Sequence, residues 1–206
     1  MRAGLDLLAG LACDEIWCLG DLVGSPGSAE TIALAVASCD VVLAGNHDLL
    51  ASGRLPESYL PTHGRERIEN IRNELSVEEM TTLRDLPTQA LNGELQGAHA
   101  GLDHVTDHVE DRFDADNQLA LADRRYLALG HSHKAFCFTA EGAWIVEPDQ
   151  LVQIGDNALV SPGSVRRTER NGTVCVLDTQ AAACEWHRIL PLADPLHPAV
   201  EDVVTP

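Results

Sequence analysis

The chain is almost without lysine: Lys134 is the only one among 14 Lys and Arg residues, which face 32 Asp and Glu. The formal net charge of −18 at pH 7 argues against a basic face for nucleic acid, because that affinity comes from Lys and Arg releasing counterions from phosphates. Also missing is any run approaching 18 consecutive apolar residues, so no membrane-spanning helix is expected. The opening segment MRAGLDLLAGLACDE lacks the basic region and small-residue cleavage site of a secretory signal, and a cytoplasmic location is expected. No Cys-x-x-Cys spacing occurs among Cys13, Cys18, Cys39, Cys137, Cys175 and Cys184. Most of them lie in apolar runs such as EIWCLG and GTVCVLD, so they read as reduced core residues rather than metal or disulfide partners.

What is present is an alternation of helix and strand. Helical spacing over 3–12 leads into the short apolar strand Ile16-Trp17-Cys18-Leu19, stopped by Gly20-Asp21. A helix from Ser28 to Ser38 precedes Val41-Val42-Leu43-Ala44, which is stopped by Gly45-Asn46. Two helices follow over 64–87, the second opened by Ser76-Val77-Glu78-Glu79, a capping box in which Ser76 and Glu79 satisfy each other's N–H groups. Strands are expected at 89–92, 94–98 and 126–129, with a helix near 116–125. The remainder reads as strands near 135–139, 143–147, 150–154, 157–160, 173–177 and 183–188. These elements predict one α/β domain over 1–206, with 191–206 as an irregular tail.

Polar residues concentrate where the apolar runs stop: Gly20-Asp21, Gly45-Asn46-His47-Asp48, His99 within Gly97-Ala98-His99-Ala100-Gly101, and Gly130-His131-Ser132-His133. Strand ends are where open α/β sheets build their sites. Any one of these could be a turn capping its own backbone. Four in succession are poorly explained that way. A carboxylate, an amide oxygen and several imidazoles form a mixed oxygen and nitrogen set suited to Mn, Fe, Ni or Zn.

Taken in order, DEIWCLGDLVG, VVLAGNHDLL, LSVEEMTTLRDLP, GAHAG, LGHSHKAF, LVSPGSVRR and TVCVLD resemble the calcineurin-like metallophosphoesterases, in particular their small bacterial and archaeal phosphodiesterase branch. The resemblance covers nearly the whole chain. It implies a two-sheet sandwich flanked by helices in α-β-β-α layers, with one or two divalent ions at the strand ends. By that resemblance Asp21 bridges two metals, Asn46, His99 and His131 complete one, and His133 ligates the other. His47 faces the scissile phosphate and protonates the leaving alkoxide, with Asp48 orienting its ring. The implied reaction is in-line attack of metal-bound hydroxide on a small phosphoester, more expectedly a diester than a monoester. Mn is the first choice of metal.

The same resemblance exposes a gap, since the family's Asp-x-His-Gly-Asn motif and the strand before it are absent. Asp6 is too close to Asp21 for a helix and a strand to fit between them. One metal would then keep only Asp21 and His133. A catalytically weakened scaffold or binding protein is therefore the alternative to an enzyme, and homo-oligomerisation is left open. His104 and His108 could bind metal if helical, although a solvated acidic loop is the better reading of DHVTDHVEDRFDAD. Ser161-Pro162-Gly163-Ser164 is expected to pack beside the site, and Arg166 and Arg167 could meet a phosphate. His63, His187 and His197 have no evident partner.

Overall fold

The computed structural model describes residues 1–24, 27–59, 64–165 and 172–189. His63, Arg166, Arg167, His197 and the 191–206 tail lie outside the described residues. The chain opens with α1 (Arg2–Gly10), β1 (Trp17–Cys18), α2 (Ser28–Ser38), β2 (Val41–Val42) and α3 (Asn46–Ser52). Then come α4 (Gly64–Glu74), α5 (Val77–Asp85), β3 (Gln89–Asn92), β4 (Leu95–Ala98) and α6 (Arg112–Leu121). Seven strands finish it: β5 (Tyr126–Leu129), β6 (Ala135–Thr139), β7 (Gly142–Ile145), β8 (Gln150–Gln153), β9 (Ala158–Pro162), β10 (Gly172–Asp178) and β11 (Ala183–Ile189).

The strands form a six-stranded sheet in the order β3-β4-β5-β9-β6-β7, a three-stranded sheet β10-β11-β8, and a parallel pair β1-β2. The central strand β5 is buried along its whole length because both its faces are covered. Tyr126 and Ala128 pack with Trp186, Cys184 and Val152 of the three-stranded sheet. Leu127 and Leu129 face the other way, against Ala115 of α6 and the Phe136–Phe138 pair. This alternation makes the expected two-sheet sandwich. A third core joins Ile32 of α2, Leu49 and Leu50 of α3, Ile68 and Ile71 of α4 and Leu83 of α5.

The Ser76 capping box forms as the spacing predicts: Glu79 N–H donates to Ser76 Oγ and Ser76 N–H to Glu79 Oε2, at 3.2 and 2.7 Å. The helix expected near 116–125 instead spans Arg112–Leu121, because Asp111 is its N-cap and accepts from Asp114 N–H at 3.0 Å. Only Cys137 and Cys184 are fully buried core cysteines; Cys13, Cys18, Cys39 and Cys175 are half-buried, and all six are free. His187 has a neighbour after all, Glu185 Oε2 at 3.7 Å.

The second sheet is in two pieces. Among the described residues β1 pairs only with β2 and β10 only with β11. Two cavities of about 350 and 610 Å³ lie between them, sharing Leu8, Ile16, Trp17, Leu19, Pro162 and Cys175 as walls. Helix α1 bridges the gap from above, its Gly4 close against Val174 and Ile189.

Candidate metal centre

Two tight turns bring the first polar residues together. Gly20 sits at φ +103°, and a Cβ there would come within 2.5 Å of the Gly45 amide nitrogen. A Cβ on Gly45 would collide with the backbone and carboxylate of Asp21. Only glycine at both positions lets the ends of β1 and β2 approach this closely. Asp21 itself is left-handed at φ 59°, as are His131 and His133 at 59° and 58°. Non-glycine residues held there carry strain that the surroundings must compensate, and such residues cluster at functional sites.

Asp48 is the clamp that holds these turns. It is fully buried, and its carboxylate accepts from the backbone N–H groups of Asp21 and Gly45 at 2.8 Å each and of Val23 at 3.1 Å. Burial first, and then the charge of Asp21, push its pKa up to about 7 against the pull of those amides. The expectation that Asp48 orients His47 is therefore corrected, because its oxygens are committed to main-chain donors. His47 Nδ1 is buried without a hydrogen-bond partner. The ring lies close to Gly24, within the same cavity wall as Asp21, His99, His131 and His133.

His99, nearly buried at the end of β4, has its tautomer set by its surroundings. Its Nδ1 is 2.7 Å from the carbonyl oxygen of Leu19, a distance that requires the proton on Nδ1. Burial also holds its pKa below the ordinary histidine value, so the ring is neutral and Nε2 keeps its lone pair. That lone pair faces Asn46 Oδ1 at 3.1 Å, Asp21 Oδ1 at 3.4 Å and His131 Nδ1 at 3.3 Å. Ligand atoms of Asp21, His99 and His131 all fall within 4.8 Å of one another. Asn46 Oδ1, Asp21 Oδ1 and His99 Nε2 thus converge as acceptors with no proton among them, a mixed oxygen and nitrogen set of the kind that suits a divalent cation.

His133 shares the cavity but lies outside this tight group. Of the two loop histidines, His104 groups, among the described residues, with the exposed Asp103 and Asp107. His108 lies in the expected non-helical loop, yet its Nε2 is 3.1 Å from Nε2 of His131, a proximity that sequence reasoning missed. Gly163, at φ +83°, leaves no room for a Cβ against Thr173, whose hydroxyl donates to the carbonyl of Pro162 at 2.7 Å. The Ser161-Pro162-Gly163-Ser164 turn thus packs onto β10 beside the site.

The model for the calcineurin-like phosphoesterase superfamily domain matches residues 1–182. The chain belongs to that superfamily of metal-dependent phosphoesterases. Among solved structures it is similar to a metallophosphoesterase from Sphaerobacter thermophilus, with a TM-score of 0.77 at 20% identity over 92% of this chain and 83% of that one. It also resembles the hypothetical protein PH1004 from Pyrococcus horikoshii OT3, with a TM-score of 0.69 at 15% identity over 91% and 81%. A provisionally assigned diadenosine tetraphosphatase gives a TM-score of 0.56 at 16% identity over 91% and 88%. These likenesses concern the fold. Comparison with curated proteins gives no match. No described helix is long and apolar enough to cross a membrane.

Proposed function

We propose that Asp21, Asn46, His99 and His131 hold a divalent cation, Mn in the first instance, and that the chain hydrolyses small phosphodiesters. The observation that carries this reading is the Nε2 lone pair of His99, fixed by the Leu19 carbonyl and aimed at two further acceptors, Asn46 Oδ1 and Asp21 Oδ1. When bound, such a cation neutralises phosphate oxygens and acidifies a coordinated water. The protein's own residues do the rest. Asn46 brings a neutral oxygen, so Asp21 supplies the negative charge of the four-ligand set. His47 is part of the same cavity wall as these donors, and it is the ring to which we assign delivery of a proton to the departing alkoxide.

His47→Asn is expected to leave cation binding nearly intact and to lower turnover by ~10² or more with an alkyl leaving group. With bis-p-nitrophenyl phosphate the loss is smaller, because p-nitrophenolate needs less protonation. Comparing the two substrates in steady state checks this; equal losses remove His47 from the acid role.

Acidification supplies a second check. Burial first, and then neighbouring histidines, bring His131 down to about 4, so cation binding is expected to persist below pH 6, where ordinary imidazoles have protonated. The sign for stability follows from the same shift. Between about 4 and the unfolded value near 6.5 the unfolded chain binds more protons at this position, so its contribution is present at neutral pH and lost on acidification. Melting of the chelated protein against pH should therefore slope less steeply across that window in His131→Asn than in the wild type.

The split second sheet is the feature that favours the scaffold alternative. Fusing about a dozen residues ahead of Met1, apolar and β-rich and ending in Asp-x-His-Gly-Asn, is expected to raise both melting temperature and turnover. The added strand would bury apolar area at ~25 cal/mol per Å². Thermal melting and diesterase assay with excess Mn²⁺ read the two effects. A fusion that melts no higher and turns over no faster puts the scaffold reading first.

A further inference from the structure

The loop between β4 and α6 carries a residue that the donor set above leaves unused. Its path is pinned at several points. Gln89 donates to the carbonyl of Leu102 at 2.7 Å, Leu102 N–H donates to Gln118 Oε1 at 2.7 Å, and Gln118 donates to Asp103 Oδ1 at 2.9 Å. Further along, Val105 packs on the helical core and Val109 on the core beneath α6. Between those two anchors His108 is set over His131, with ring centroids 4.2 Å apart and Nε2 to Nε2 at 3.1 Å.

Two imidazole nitrogens this close need one proton between them, and the nitrogen that donates fixes its own ring's tautomer. His131 faces in two directions: Nδ1 toward His99 Nε2 at 3.3 Å and Nε2 toward His108. We propose that His108 is a positioning residue that accepts the Nε2 proton of His131 and so leaves the Nδ1 lone pair of His131 aimed at Asp21 and His99. The arrangement parallels the inner ring, where the Leu19 carbonyl takes the Nδ1 proton of His99. In both cases the outer partner takes a proton on the far nitrogen and frees the near one, which is how partners behind a ligating histidine orient it and raise its basicity. The proposal rests on the cation reading for its consequence, while the tautomer itself is a property of the protein alone.

The test uses long-range proton–nitrogen NMR of the histidine rings in the chelated full chain, followed by Mn²⁺ titration. His131 is expected to carry its proton on Nε2 in the wild type and to lose that fixed assignment in His108→Phe. Mn²⁺ affinity should fall ~10-fold or more in His108→Phe and recover in His108→Gln, whose amide oxygen can accept the same proton. The melting temperature of the chelated variants should move by no more than ~2 °C, as for other exposed positions. A proton on Nδ1 of His131 in the wild type overturns the proposal. So does unchanged Mn²⁺ affinity in His108→Phe. If the Nε2 tautomer is present but the wild type takes up no Mn²⁺, the cation reading fails while the positioning of His131 by His108 stands.

Discussion

Asp48→Ala is expected to lower the melting temperature by ~6 °C or more, the largest stability effect of any single change in the site. The variant orphans the N–H groups of Asp21, Val23 and Gly45, all held by one carboxylate. Each buried donor left unsatisfied costs ~1–3 kcal/mol, and ~1 kcal/mol moves a domain of this size by ~2–4 °C. The loss should depend on pH in a definite direction. With a folded pKa of about 7 against an unfolded value near 3.9, the native state binds the extra proton between those limits. Through this group the wild type becomes less stable as pH rises across that window. The penalty of Asp48→Ala in chelating buffer is therefore larger at pH 5 than at pH 8. Calorimetry at the two pH values checks both size and sign; an equal or larger penalty at pH 8 contradicts the assignment.

Asp21→Ala combined with His131→Ala is expected to abolish stoichiometric cation binding, with affinity falling by more than the ~100-fold that loss of one outer partner can cause. Only Asn46 and His99 of the four donors remain, one neutral amide and one neutral imidazole, with no charge to offset the desolvation of a divalent ion. The Asp21 carboxylate also accepts from His47 N–H at 3.1 Å, so a modest fall in melting temperature accompanies the loss. Elemental analysis after mild dialysis measures the effect. Metal content equal to that of the wild type would remove the proposed site, and turnover retained without metal would remove the mechanism.

The two glycine turns and the histidines after β4 and β5 were legible in the sequence because each is a local event, an apolar run stopped by glycine and followed by polar side chains. Ser76 and Glu79 were legible for the same reason, being three residues apart. The role of Asp48 was not. Beside His47 it reads as a ring-orienting carboxylate, but two of its three amide donors lie 25 and 27 residues away, and nothing local announces that the β1 turn folds back onto it. His108 was obscured in the same way. The stretch DHVTDHVEDRFDAD reads as a solvated acidic loop, which it is as far as Glu110, but nothing local announces that His108 reaches His131, since that approach depends on Val105 and Val109 being anchored in two separate cores. The split second sheet shows both sides of this. The resemblance raises the expectation of a gap beside β1, whereas the two cavities between β1 and β10 depend on three-dimensional packing that no local stretch announces.

On this reading one cation sits among Asp21, Asn46, His99 and His131. The most direct measurement is anomalous scattering from crystals of the chain soaked in Mn²⁺, collected on either side of the manganese absorption edge. A single strong peak is expected within ~2.0–2.4 Å, the span of metal–ligand distances for such ions, of Asp21 Oδ1, Asn46 Oδ1 and His99 Nε2, with His131 Nδ1 as the fourth donor. A peak elsewhere, such as at Asp103, His104 and Asp107, or no peak at an Mn²⁺ concentration that saturates binding in solution, would contradict it.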